Sequence, residues 1–225
     1  PPALPPIPAA RGGIGAAGYA KIQELVRHIK YFRASGKKIR VWMESAAEKE
    51  VLVATAADEW YVPPAGHVVV AGVRGGGVFL KGLLSKVGAH AEVERVGEYK
   101  TSADALTRET MGEQQREVIE SVLDGALDWY KRTLAENLGI TEEEVARTME
   151  SPPARVQELL EKGWLTGIKY LSEVQHMLKM EQKPKLASAT PQKVAKYDLK
   201  TLSGHRYAAR RARGLGLRRG PKIAV

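Results

Sequence analysis

Two features of this chain hold residues whose type and placement could do chemistry: a lysine just past a predicted strand and a run of three glycines. Lys100 lies in Val96-Gly97-Glu98-Tyr99-Lys100-Thr101-Ser102-Ala103. A free lysine has a pKa of about 10.4, and as an ammonium it cannot accept a proton. Burial in an apolar groove lowers that value, by about 3–5 units in extreme cases. The neutral amine then activates a serine hydroxyl without help from histidine. By residue type alone a lysine is a surface residue, and periodicity does not single this one out. Gly75-Gly76-Gly77 falls between a predicted strand and a predicted helix. Glycines there let backbone N–H groups converge on an anion, as in an oxyanion hole, or simply allow a tight turn with close packing. The sequence weighs these two readings equally.

Other chemistries find little support. The chain has no cysteine, which excludes disulfides, thiolate metal sites and cysteine catalysis. His28, His67, His90, His176 and His205 show no i, i+4 pairing and no H-E-x-x-H, so no metal site is expected. No G-x-S-x-G occurs. Gly13-Ile14-Gly15-Ala16-Ala17-Gly18 spells G-x-G-x-x-G, but a Pro-rich stretch precedes it where a dinucleotide site needs a strand. A flexible lead-in to a helix is the expected role, and no cofactor is expected. Glu48, Glu50 and Asp58 are acidic enough to form an acid–base pair, but on a polar helix edge they read as solvated surface.

The elements that must position these residues follow from periodicity. Ile22, Leu25, Val26, Ile29 and Phe32 mark one apolar face of a helix over Tyr19–Ser35, ended by Gly36. Ile39–Met43 reads as a strand, Ala46–Ala57 as a tightly packed helix of small residues, and Trp60–Val62 and Val68–Ala71 as short strands. A helix is expected from the glycine run to Val87, stopped by Gly88, then a strand over Ala91–Val96. The remainder reads as helical: roughly 111–138 with Val118, Ile119, Val122, Leu123, Ala126 and Trp129 on one face, a capping box at Thr141 and Glu144, then Val156–Lys162 and Leu171–Met180. Strands interleaved with helices define the class as α/β. The first helix has no strand before it and Lys222-Ile223-Ala224-Val225 resembles the start of one, so a piece of a longer polypeptide is expected.

Charge is unevenly placed. The chain carries a net +9, and from residue 181 onward 12 Lys and Arg face only Glu181 and Asp198. The body is therefore near neutral and the tail basic, which argues against a nucleic-acid-binding body and suits a solvated linker. No run approaches the 18 or so apolar residues that span a bilayer. The prolines of Pro1-Pro2-Ala3-Leu4-Pro5-Pro6-Ile7-Pro8 forbid the helical core of a signal peptide.

Several segments, in fixed order, resemble the signal peptide peptidase A (protease IV) family, and in particular the N-terminal repeat of its long form. They are His28–Lys37, Ala54–Val62, Gly72 with Phe79, Lys81–Leu84, Lys86–Gly88, Arg95–Ala103, Leu106–Arg108 and Leu160–Leu165. Together they cover about residues 21–180. Arg95-Val96-Gly97-x-Tyr99-Lys100-x-Ser102-Ala103 is the most specific of them. The resemblance implies a ClpP/crotonase-like fold over residues 19–180 with an α-helical segment after the core. Residues 1–18 would be a linker or truncated end, and 181–225 a basic linker toward a missing second repeat. It also implies a Ser/Lys dyad in which the family lysine falls on Lys100 and the serine lies in the second repeat. Where serine-bearing repeats carry the nucleophile this chain has Glu48, with Lys49 and Glu50 in place of glycines. Ser45 lies three residues too early and Ser102 sits beside the base itself. The chain alone is therefore expected to be inactive. The family's partners are hydrophobic peptides such as signal peptides, a second repeat, further copies of itself and a membrane surface. Its setting is the thylakoid or the bacterial inner membrane. A degenerate scaffold repeat and a crotonase-type acyl-CoA enzyme are the rival readings.

Overall fold

The computed structural model describes residue 14 and residues 17–151 and 155–182. Helix α1 (Tyr19–Ala34) leads into β1 (Arg40–Trp42), β2 (Ser45–Ala46), α2 (Glu48–Thr55), β3 (Glu59–Val62) and β4 (His67–Val68). Then come α3 (Lys81–Lys86), α4 (Asp104–Thr107), α5 (Glu113–Leu138), α6 (Glu142–Glu150), α7 (Val156–Glu161), β5 (Gly167–Ile168) and α8 (Leu171–Gln182). The class is α/β, rich in helix.

Two small parallel sheets organise the core. One has the order β1-β3-β5, with Val41 opposite Trp60 and Tyr61 opposite Gly167. The other pairs β2 with β4, Ser45 opposite His67. Parallel neighbours need a crossover, and α2 supplies the one from β1 to β3. Val51, Leu52, Val53, Ala54 and Thr55 of α2 are all buried, so this helix is covered on every side. It packs against α1, α5 and β3. Ile22 and Val26 of α1 and Tyr130 and Leu134 of α5 complete the core. Each fully buried Val or Leu contributes about 1.5–3 kcal/mol.

Local signals set the helix ends. The capping box of α6 is formed as expected: Glu144 N–H donates to Thr141 Oγ1 at 3.2 Å, and Thr141 N–H donates to the Glu144 carboxylate at 2.9 Å. Gly139 closes α5 at φ +69°, a left-handed conformation that a side chain disfavours.

Four expectations need correction. Ala91–Val96 forms no strand; it is irregular and largely exposed, because no strand among the described residues pairs with it. The helix expected from the glycine run is only Lys81–Lys86, with residues 75–80 irregular. On α5 the expected face is only partly used: Val118 and Val122 are exposed, while Tyr130, Thr133, Leu134 and Ala135 are buried. The helix carries its contacts to the core at its C-terminal half. Finally, β5 interrupts the stretch read as wholly helical, and two residues are too few to show a period. Of the linkers assigned to 1–18 and 181–225 only residues 14, 17, 18, 181 and 182 are described, the last two closing α8; His205, and Gly13, Gly15 and Ala16 of the G-x-G-x-x-G run, lie outside the described residues.

Candidate functional site

The segment bearing Lys100 is a turn held at three points. Gly97, at φ +97°, lets the chain double back, and Lys100 N–H reaches the Gly97 carbonyl at 3.4 Å. Arg95 Nη1 lies 3.0 Å from Asp104 Oδ1, closing the loop around the lysine. The Tyr99 hydroxyl donates to Glu117 Oε2 at 3.0 Å, pinning the loop to α5; that carboxylate and its charge raise the tyrosine's pKa. Asp104 is 3% exposed, and its role as the loop's anchor was not foreseen from the sequence. A buried acid nine residues after an arginine is a signal only once the turn between them is known.

Lys100 itself is exposed and has no side-chain hydrogen bond or ion pair among the described residues. The apolar cover that general-base chemistry requires is therefore not provided by them. The apolar residues that precede Lys100 in the chain are open to solvent: Val93, Val96 and Tyr99 are 45, 88 and 57% exposed. Ser102 is exposed in the same turn, and Ser45 is exposed in β2.

Glu48 is the first residue of α2, after Ala47 at its N-cap, so this side chain stands at the β2–α2 junction. It is half-buried. Burial, followed by the charge of Glu48, raises the pKa of the Tyr19 and Tyr130 hydroxyls. Lys49 Nζ sits 5.3 Å from the centroid of the Tyr19 ring. Asp58 lies past the other end of α2, where its carboxylate accepts from Ile39 N–H at 2.8 Å and Arg33 Nε at 2.9 Å. Glu48 and Asp58 therefore do not form an acid–base pair.

The glycine run resolves toward packing at one position. None of Gly75, Gly76 and Gly77 has a positive φ. A Cβ on Gly75 would lie 2.9 Å from Ile119 Cγ2 and 3.3 Å from Leu123 Cδ1, so α5 approaches the backbone there. A Cβ on Gly76 would meet nothing within 4 Å. Of the histidines, His28 bonds Glu24 at 2.9 Å, and no group among the described residues is arranged to hold a metal. No helix among them is long and apolar enough to cross a membrane.

An α/β chain with a lysine turn and an acidic residue at the β2–α2 junction is matched by the profile of peptidase family S49 over residues 31–185. The chain belongs to that family. The chloroplastic serine protease SPPA of Arabidopsis thaliana is 29% identical over 189 residues, covering 84% of this chain and 27% of the relative. Protease 4 of Haemophilus influenzae is 23% identical over 117 residues, 52% of this chain and 19% of the relative. Protease 4 of Salmonella typhi is 26% identical over the same length. The chain thus spans about a quarter or less of these relatives.

Proposed function

We propose that this chain is the N-terminal, lysine-contributing part of a serine peptidase with a ClpP/crotonase-like fold, acting on hydrophobic peptides such as signal peptides beside a membrane. The carrying observation is that the family match runs through both key positions. The resemblance puts the general base at Lys100 and the nucleophile at the position where this chain has Glu48. The serine comes from a part of the protein outside this chain. Chloroplastic and bacterial relatives support a thylakoid or bacterial membrane setting.

In this reading the missing part does two things. It supplies the hydroxyl, and it covers Val93, Val96 and Tyr99, so that the Lys100 amine is desolvated and loses its proton. The neutral amine takes the serine proton as the oxygen attacks the peptide carbonyl, then hands it to the leaving amine. The acyl-enzyme is resolved by a water that the same amine deprotonates.

The exposure of Lys100 supports a second reading, a scaffold repeat without a base. One experiment separates the two. In the full-length protein, Lys100→Ala is expected to abolish cleavage of an apolar peptide, a fall of at least about 10²–10⁴ in kcat/KM, with assembly intact by size-exclusion chromatography. Glu48→Ala is expected to leave turnover largely unchanged. Unaltered turnover in Lys100→Ala favours the scaffold.

A further inference from the structure

Residues 89–103 form no helix or strand, and residues 92–100 are all exposed, so the core does little to hold the turn that carries Lys100. A segment with so few buried contacts keeps its shape through the bonds that tie it down. The main ones converge on α4. The Asp104 carboxylate accepts from Arg95 Nη1 at 3.0 Å, which joins the residues on either side of 96–103. The Asp104 N–H donates to the Thr101 carbonyl, also at 3.0 Å. The Ala105 carbonyl accepts from Leu80 N–H at 2.6 Å, so the segment that follows the glycine run is fastened to the same short helix.

Asp104 is the fixed end of this clamp. Its side chain is 5% exposed, against 43% for Arg95. It packs against the start of α5: a Cβ on Gly112, the N-cap residue, would lie 3.4 Å from Asp104 Oδ2 and 3.2 Å from Arg108 Cζ. A buried carboxylate needs a partner to stay ionised, and Arg95 is the one cation that forms an ion pair with it among the described residues. Lys100 forms none with it, so Asp104 is not the lysine's counter-ion. What it does for Lys100 passes through Arg95 and the backbone of the turn.

We infer that Arg95 and Asp104 are positioning residues for Lys100, an assignment that rests on Lys100 being the general base. Their ion pair closes residues 96–103 into one turn and so sets where the amine stands when the serine-bearing part of the protein meets it. Misplacing a reacting group by about 1 Å costs about 10²-fold in rate. The loss falls on kcat and not on KM, because neither residue takes part in binding the peptide.

The test uses the full-length protein and four variants: Arg95→Gln, Asp104→Asn, the two combined, and Lys100→Ala. For each, kcat and KM on an apolar peptide, the urea midpoint, and deuterium uptake of residues 96–103 by mass spectrometry are measured. Arg95→Gln alters a partly exposed side chain, so it decides the matter even where Asp104→Asn fails to fold. It is expected to keep the parent's urea midpoint and KM, to lower kcat about 10²-fold, and to speed uptake in 96–103. The double variant is expected to be no slower than the slower single one, as for two ends of one bond. Parent kcat or parent uptake in Arg95→Gln, with Lys100→Ala inactive, overturns the clamp and leaves Lys100 as the base. Parent turnover in Lys100→Ala removes the base itself, and the clamp's role with it.

Discussion

Arg40 and Glu181 form a forked ion pair, Nη1 to Oε2 and Nη2 to Oε1 at 2.8 Å each, joining β1 to α8. The same guanidinium bonds Glu59 on the neighbouring strand β3 through Nε. Arg40 and Glu59 side chains are 14% and 18% exposed, against 51% for Glu181. Arg40→Ala leaves the largely buried Glu59 carboxylate with only the Tyr61 hydroxyl and Lys38 and is expected to cost about 1–3 kcal/mol, whereas Glu181→Ala removes an exposed partner and costs about 1 kcal/mol or less. Urea unfolding monitored by circular dichroism gives both values; equal costs would place the weight of the network on α8 rather than within the sheet.

Glu59 and Asp58 are adjacent carboxylates held below their ordinary pKa values of 4.5 and 3.8. For Glu59 the main cause is the Arg40 hydrogen bond. For Asp58 it is the Ile39 N–H, with Arg33 following. A depressed folded-state pKa gives stability that is fully present above the unfolded value and lost as pH falls through the folded one. The chain is therefore expected to lose stability on acidification from about pH 4.5 downward. Glu59→Gln and Asp58→Asn are expected to be less stable at neutral pH but to lose less on acidification. Urea titrations repeated from pH 7 down to pH 2 test this; parallel pH profiles for the variants and the parent would reject the linkage.

What could be read in the sequence was what local rules decide. The face of α1 from Ile22 to Ile29 (though not Phe32, which is exposed), the glycine after it, the capping box of Thr141 and Glu144, and the strand at Trp60–Val62 appear close to where expected, because each depends on a few neighbouring residues. Ala91–Val96 went the other way: its sequence suits a strand, but a strand also needs a partner, and the described residues offer none. Val118 and Val122 share the helical period that buries Tyr130 and Leu134, and periodicity does not say which half of a 26-residue helix meets the core. At the candidate site the sequence pointed to Lys100 and Glu48 through resemblance alone. Asp104, which fixes the turn by an ion pair to Arg95, needed the fold to bring it into view.

Tyr130 is fully buried, and its hydroxyl has no hydrogen-bond partner among the described residues. Burial and, secondarily, the Glu48 charge push its pKa up, so it stays protonated. A buried hydroxyl that makes no bond costs desolvation without return. Tyr130→Phe keeps the ring and removes the oxygen, and is expected to leave stability unchanged or to raise it by about 1 kcal/mol. A clear fall in the urea midpoint would show that the hydroxyl is bonded in solution, with the nearby Glu48 carboxylate as the candidate acceptor.

Gly75 separates the two readings of the glycine run. A methyl group there collides with Ile119 Cγ2 at 2.9 Å and crowds Leu123. Overpacking of this kind costs about 1–3 kcal/mol, so Gly75→Ala is expected to destabilise the chain by that amount. Ile119→Ala removes the colliding methyl, and the double variant is expected to be more stable than the sum of the two single effects, the sign of a direct contact. In the full-length protein Gly75→Ala keeps the backbone N–H, so any lost turnover is expected to follow lost folding. Turnover that falls while the urea midpoint holds would return these glycines to the anion-binding role.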